Sequence, residues 1–318
     1  MTEVLAVLPK FSQLSSRVWR VLGLNPGKFT LQGTNTYLLG AGAQKILLDC
    51  GEGKPDYLSH LETSLQDIQS DAYISDIIIS HGHSDHWGGL TDILNSSTLN
   101  PNNKIQVHKF TAIPEGYHID HMDRFPDNIS LNSLVDNQIF KAQDTTLRVI
   151  YTPGHTKDHC TFWLEEEQSI FTADCVLGQG TAVFDDLSEY ITGLERLVTF
   201  QPKQLYPGHG PVVVEGTAKI QEYVDHRLER ENQVIQLLTK EGTLEQGWTP
   251  MEIVETLYKG YPESLYIPAA RGIVLHLHKL NKDGKAKTLE KHAFIQENYV
   301  QILNAKWYWT QKTSKNNL

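Results

Sequence analysis

Along the first two hundred residues the hydrophobic positions come in short, strand-length runs. Val18–Leu22, Thr36–Leu39 and Lys45–Asp49 are β-rich and separated by glycine-containing turns, and Ile74–Ser80 reads as a buried strand running straight into His81. Leu147–Tyr151, Thr161–Leu164 and Ser169–Thr172 are three more strands. Helical spacing lies between them: over 54–70, opening near Pro55; in a short stretch after His86 with Leu90 and Ile93 on one face; and over 186–200. The interval 110–134 is irregular, rich in Pro, His and Asp, and reads as a loop. Strands alternating with helices, with hairpin pairs among them, predict a layered α/β (α+β) body in which sheets can pack face to face.

The pattern changes at Gly216. Over 217–240, Ile220, Tyr223, Val224, Leu228, Val234 and Leu238 recur at three- and four-residue steps, which predicts one long helix. Thr249-Pro250-Met251-Glu252 is a helix start, with Thr249 as N-cap, Pro250 at the first position and Glu252 closing a capping box. A third helix is predicted over 268–281, ending at the Asp283-Gly284 turn. The chain therefore divides into a body, 1–215, a small helical domain, 216–290, and an extension, 291–318, whose polar end from 305 reads as a frayed tail.

Composition narrows the function classes. With 40% hydrophobic and 21% charged residues the chain is globular. Its three cysteines, Cys50, Cys160 and Cys175, have no regular spacing, which argues against a secreted disulfide framework and for a reducing compartment. No apolar run approaches the roughly 20 residues of a membrane-spanning helix. Residues 1–14 lack a secretory apolar segment with a cleavage site, so neither membrane insertion nor secretion is expected. The net charge of −10 speaks against polyanion binding by the chain as a whole. It is unevenly spread, however: residues 1–215 hold 14 Lys+Arg against 26 Asp+Glu, and residues 216–318 hold 14 against 12. Lys279, Lys282, Lys285, Lys287 and Lys291 crowd the turn after the third helix, either as a solvated surface or as a ridge for a polyanion.

The chemistry concentrates in Ser80-His81-Gly82-His83-Ser84-Asp85-His86, where three imidazoles and a carboxylate lie within six residues directly after a buried strand. Imidazole nitrogen and carboxylate oxygen are donors that Zn²⁺ accepts, and a loop can turn them towards two neighbouring ions. At this chain's His and Asp frequencies such a match arises by chance in roughly one chain per several hundred. Three other fragments end strands in the same donor types: His155 in Thr152-Pro153-Gly154-His155-Thr156, Asp174 in Phe171-Thr172-Ala173-Asp174, and His209 in Tyr206-Pro207-Gly208-His209-Gly210.

The order HxHxDH, H, D, H over residues 81–209 resembles the metallo-β-lactamase superfamily, which implies an αββα four-layer sandwich. By that resemblance His81, His83 and His155 hold one zinc, Asp85, His86 and His209 hold a second, and Asp174 bridges the two, with water activated between the ions as the nucleophile. Asp85 and Asp174 are thereby the expected catalytic carboxylates. Asp49, in Leu47-Leu48-Asp49-Cys50-Gly51, matches the family's first motif and is expected to orient the HxHxDH loop from behind rather than to bind metal.

Within the superfamily, Arg20–Gly27, Phe29–Tyr37, Tyr151–Thr156, Val176-Leu177-Gly178, Val183–Leu187 and Leu205–Pro211 are similar to the β-lactamase-like protein 2 group, over about residues 15–285. That resemblance implies a zinc-dependent endoribonuclease acting on single-stranded RNA in the mitochondrial matrix, with a winged-helix-like C-terminal domain; the cytosol is the alternative compartment. The Gly-Thr-Asn-Thr-Tyr and Pro-Gly-His-Thr motifs also occur in lactamase-like thioesterases of polyketide pathways. A thioesterase or glyoxalase II-like acyl hydrolase is accordingly the alternative function.

Other residues carry weaker expectations. Asn35 is either a substrate contact or an Asn satisfying its own turn. His159 reads as a partly exposed strand-start residue, with a positioning or substrate role as the other reading. His118 and His121 read as polar loop residues, or as groups that close over the site. His276 and His278 read as surface or packing residues, and Trp307-Tyr308-Trp309 as a tail docked on the body or a surface for stacking bases.

Overall fold

The computed structural model describes residues 4–113, 115, 117, 119, 122–240, 246–290 and 299–310. They form two compact units, Met1–Asp185 with Glu189–Tyr223, and Asp186–Ser188 with Val224–Leu318.

Two sheets make the first unit. Seven strands lie in sequence order: β1 (Phe11–Gln13), β2 (Val18–Leu22), β3 (Asn35–Leu39), β4 (Gln44–Leu48), β5 (Tyr73–Ile79), β6 (Gln106–Lys109) and β7 (Leu131–Ser133). Five more, β8 (Ile139–Ala142), β9 (Thr145–Tyr151), β10 (Cys160–Leu164), β11 (Ser169–Ala173) and β12 (Gln204–Pro207), form the second sheet in the reverse order. The helices of this unit are α1 (Tyr57–Ile68), α2 (Ser84–Trp87), α3 (Leu90–Asn95), α4 (Leu187–Val198) and the start of α5 (Gly216–Leu238).

Strand alternation decides what each side chain faces. Leu38 and Leu47 join Tyr57, Leu61 and Leu65 of α1 and Leu90 and Ile93 of α3 in one core. Their neighbours Leu39, Ile46 and Leu48 point the other way and pack with Phe140, Leu147, Val149, Phe162, Phe171 and Tyr206 of the second sheet. Tyr37 meets Phe171 edge-on at 5.0 Å between the sheets. On the far face of the second sheet, Trp163 packs on Phe200 just beyond α4, whose Ile191, Leu194 and Leu197 are buried. This is the expected helix–sheet–sheet–helix layering. All three cysteines are buried and unpaired.

In this unit the strands absent from the reading of the sequence are β1, β6, β7 and β8. Each has three or four residues, too few to show a period, and takes its conformation from the neighbour it pairs with. The interval 110–134 is thus not wholly loop: Leu131–Ser133 extends the first sheet beside β6. His118 and His121 lie outside the described residues.

In the second unit α6 (Pro250–Leu257) begins with the predicted capping box, Thr249 accepting from the Glu252 N–H and Glu252 from the Thr249 N–H. α7 (Tyr266–Lys282) ends at Gly284, whose φ of +69° suits glycine. Beyond it, β13 (Ala286–Thr288) pairs antiparallel with β14 (Trp307–Trp309), after the short α8 (Tyr299–Asn304). The end of α5 supplies Val234 and Leu238 to the shared core of α6, α7 and α8. Residues 305–310 are not frayed: Trp307 is fully buried in that core, so burial of a large aromatic ring, not base stacking, explains it. The two units part at Tyr223/Val224, inside α5. The lysine-rich turn is largely charge-compensated: Lys279 pairs with Glu231 and Asp283, each at 2.9 Å, Lys285 with Asp283 at 3.6 Å, and Lys282 with Asp186. Lys291 lies outside the described residues. Among the described residues, no helix is long and apolar enough to cross a membrane.

Candidate metal centre

Every donor singled out above follows the carboxyl end of a strand: Asp49 after β4, His81–His86 after β5, His155 after β9, Asp174 after β11 and His209 after β12. Adjacent ends on one edge are where open α/β sheets collect functional groups. Local backbone features make the convergence possible. The register slips between Phe171 and Ala173, and Ala173 adopts a φ of +43°, a bulge that turns the chain just before Asp174. A Cβ on Gly208 would lie 2.4 Å from Asp174 Oδ1, so only glycine lets the Pro-Gly-His turn approach that carboxylate.

Seven side chains assemble into two groups, His81, His83, His155 and Asp174 in one and Asp85, His86 and His209 in the other. In the first, His81 Nε2, His83 Nδ1 and His155 Nε2 lie 3.0, 3.1 and 3.3 Å apart. Such separations cannot all be hydrogen bonds, since each neutral imidazole has one N–H and the His155 Nδ1 proton is directed to the Val183 carbonyl at 2.8 Å. They match the edge of a tetrahedron around zinc, about 3.3 Å for Zn–N bonds of about 2.0–2.1 Å. In the second, Asp85 Oδ2 lies 3.4 Å from His86 Nε2 and 3.3 Å from His209 Nε2. Asp174 stands between the groups, with Oδ1 3.3 Å from His86 Nε2 and Oδ2 3.3 Å from His209 and 3.7 Å from His155. His86 Nε2 and Asp174 Oδ1 are buried and make no hydrogen bond, which is costly for polar atoms unless a cation takes their lone pairs. The donor set therefore fits a pair of metal ions.

Electrostatics separates the groups. Burial, reinforced by the neighbouring imidazoles, pushes the His81 pKa well below its ordinary value, and burial brings His155 down to about 3. At His86 burial works the same way but is outweighed by Asp85, Asp174 and Asp49, which hold its pKa well above normal. At His209 the carboxylates of Asp174 and Asp85 likewise overcome burial and raise it to about 9. Burial opposes ionisation of Asp85 and Asp174 too, yet the facing His86 and His209 keep both carboxyls below their usual range.

Behind the donors lies a layer of supports. Asp49, at a left-handed φ of +61°, accepts from the Ser80 N–H and hydroxyl, each at 2.8 Å, and meets His86 Nδ1 at 2.7 Å, leaving Nε2 to face the centre. Asn35 does not hold its own turn but another. It is buried, and its amide donates to the Pro207 and Gly210 carbonyls at 2.8 and 2.9 Å, clamping the turn that carries His209. His159 is not partly exposed but fully buried; its Nε2 accepts the Asp174 N–H at 3.3 Å and its Nδ1 faces the Thr152 carbonyl at 3.2 Å. Three further supports had no sign in the sequence pattern. Thr34 donates to Asp85 Oδ2 at 2.9 Å, Trp87 Nε1 donates to the Gly82 carbonyl at 2.8 Å, and a buried Lys109–Asp158 ion pair sits below Gly82. Thr34 lies inside the Gly-Thr-Asn-Thr motif, the one signal that could have marked it.

A cavity of about 210 Å³ opens beside His155 and Asp174. Its walls are Lys28, Phe29 and Leu31 on one side and the loop from Leu177 to Val183 on the other. Apart from the metal donors it is largely apolar.

Comparison with known proteins agrees with this geometry. Residues 29–209 match the model of the metallo-beta-lactamase superfamily, and residues 249–293 that of the beta-lactamase associated winged helix domain. A "Beta-lactamase-like protein 2 homolog" of Drosophila melanogaster is 39% identical over 284 residues, 89% of this chain and 94% of that protein. An "Atrochrysone carboxyl ACP thioesterase" of Aspergillus fumigatus is 34% identical over 308 residues, 92% of each. The crystal structure of a beta-lactamase domain protein from Burkholderia ambifaria shares the fold, with a TM-score of 0.73 at 17% identity over 96% of this chain and 95% of that one. The chain belongs to the metallo-beta-lactamase superfamily and carries, later in the sequence than its two-group metal-ligand site, the winged-helix domain associated with it.

Proposed function

We propose that this protein is a binuclear zinc hydrolase of acyl thioesters. His81, His83 and His155 would hold one ion, Asp85, His86 and His209 the other, and Asp174 would touch both. Bound zinc supplies Lewis acidity there, drawing the pKa of water towards neutrality and polarising the carbonyl under attack. The chain's own part is positional: Asp49, Thr34, Asn35 and His159 fix the donors, and Phe29, Leu31 and Leu177 offer an acyl chain an apolar wall beside them.

The apolar cavity carries this reading. A thioester's acyl part gains about 0.8 kcal/mol for each methylene buried there, roughly fourfold in kcat/KM. Apart from Lys28, such walls offer a polyanion no favourable charge. The thioesterase named among the relatives, similar over nearly its whole length, supports the same choice. Single-stranded RNA, the first expectation from the sequence, is the weaker reading: the body is acidic and the lysine ridge is largely paired.

Zinc-loaded protein assayed against thioesters of increasing acyl length, and in parallel against labelled single-stranded RNA, tests the proposal. Turnover rising with acyl length, and lost in Asp85→Ala with His86→Ala, is the expected result. RNA cleavage that depends on the same two residues, without thioester turnover, overturns it.

A further inference from the structure

One stretch of the chain is held against the cavity mouth almost entirely through its backbone. Gln179 Nε2 donates to the Val4 carbonyl at 2.9 Å, and Gln179 Oε1 accepts the Ala6 N–H at 3.1 Å. Gln32 Nε2 donates to the Ala6 carbonyl at 2.7 Å. Val4 and Val7 contribute little through their side chains, being 89% and 95% exposed, and Leu5, 43% exposed, is partly covered. Gln32 Oε1 is buried and accepts nothing. Gln179 lines the same cavity as His155 and Asp174, and Gln32 follows Leu31, another of its walls.

Two primary amides that grip successive peptide groups grip the amide and not the residue. We propose that Gln179 and Gln32 form a subsite for the secondary amides of the substrate's thiol arm, the half of the thioester that leaves, and that residues 4–6 occupy it when substrate is absent. This rests on the thioesterase reading. The ligand chemistry is a flexible thiol arm carrying two secondary amides a few atoms apart, as in pantetheine or in glutathione. Gln179 can donate to one amide carbonyl and accept from the next N–H, as it does with Val4 and Ala6, while Gln32 Oε1 offers a further acceptor. Because the gripped segment is the chain's own, arm and segment compete for one set of donors.

Binding measured by calorimetry, without turnover, tests this. The probes are the non-hydrolysable S-butyl thioethers of pantetheine, of glutathione and of 2-mercaptoethanol, which has no amide. The proposal expects one amide-bearing thioether to bind about tenfold tighter than the amide-free one, as two or three hydrogen bonds at about two- to tenfold each permit. Gln179→Ala, and Gln179→Glu, which loses the donor and gains a negative charge, should shrink that ratio to about threefold or less. A variant lacking residues 2–8 should bind the amide-bearing thioether several-fold tighter. The tighter of the two amide-bearing probes identifies the source of the arm. Equal affinities for all three probes, or a ratio untouched by both Gln179 variants, overturns the subsite. If the ratio behaves as expected while no thioester is hydrolysed, the assigned reaction fails and the amide subsite stands.

Discussion

The two ligand groups lie side by side but the protein prepares them differently. His81 and His155 are neutral donors: burial strips them of protons, and the His155 ring is steered by an uncharged backbone carbonyl, that of Val183. Asp85, His86 and His209 sit among carboxylates, with Asp49 backing His86 directly and Thr34 backing Asp85. Negative charge is thus concentrated in one half of the site, while the other shares only the Asp174 carboxylate. Part of the acidic excess of residues 1–215 has this local purpose, because carboxylates facing a dication cost less than they would in an empty interior.

That asymmetry can be broken in steps. The largest effect is expected from Asp85→Ala with His86→Ala, which removes two of the three donors of the charged group. Zinc per chain, measured by mass spectrometry of the native protein, should fall from two to one, and hydrolysis should fall by more than the 10–100-fold typical of losing an outer partner. Asp49→Asn leaves all seven donors in place but removes the charge behind His86. It should weaken the second ion by about 10–100-fold, with a smaller change at the first, as read by competition with a chromophoric chelator. Thr34→Val, isosteric, deletes one hydrogen bond to Asp85 and should cost roughly three- to tenfold in second-ion affinity in the same assay.

The smallest effect sharpens what burial alone does to an imidazole. His276 in α7 is buried beside Arg227, Arg230, Lys279 and His226, and burial first, then these cations, bring its pKa down to about 3. The unfolded chain binds this proton near pH 6.5 and the folded one far lower, so its contribution to stability is complete above about pH 6.5 and is lost as pH falls towards 3. Melting of the wild-type protein between pH 7.5 and 5 should show up to about 1.4 kcal/mol of lost stability per pH unit below 6.5 from this residue. His276→Leu should show a shallower slope.

How much of this was legible in the sequence depended on the range of the interaction. The HxHxDH cluster, the Pro-Gly-His turns and the capping box at Thr249 are local patterns, readable because donors or caps recur within a few residues. The long strands β2, β5, β9 and β10 were visible for the same reason, since five or more residues suffice to show a period or a run. What stayed hidden depends on partners far along the chain. Asn35 reaches a turn 172 residues away, and Thr34 a carboxylate 51 residues away. His159 is buried against the rings of His81 and His155, at 5.3 and 5.5 Å, the first of them 78 residues away, and not by its neighbours in sequence alone. Trp307 looked like part of a tail because its polar flanks say nothing of the helical core it enters.

The most direct test of the account is a zinc titration of metal-depleted wild-type protein and Asp49→Asn, followed by native mass spectrometry. Two ions per wild-type chain, and a single ion in Asp49→Asn at the same free zinc, are expected from two groups with separate supports. Loss of both ions together in Asp49→Asn, or no second ion in the wild type at any zinc concentration, would contradict it.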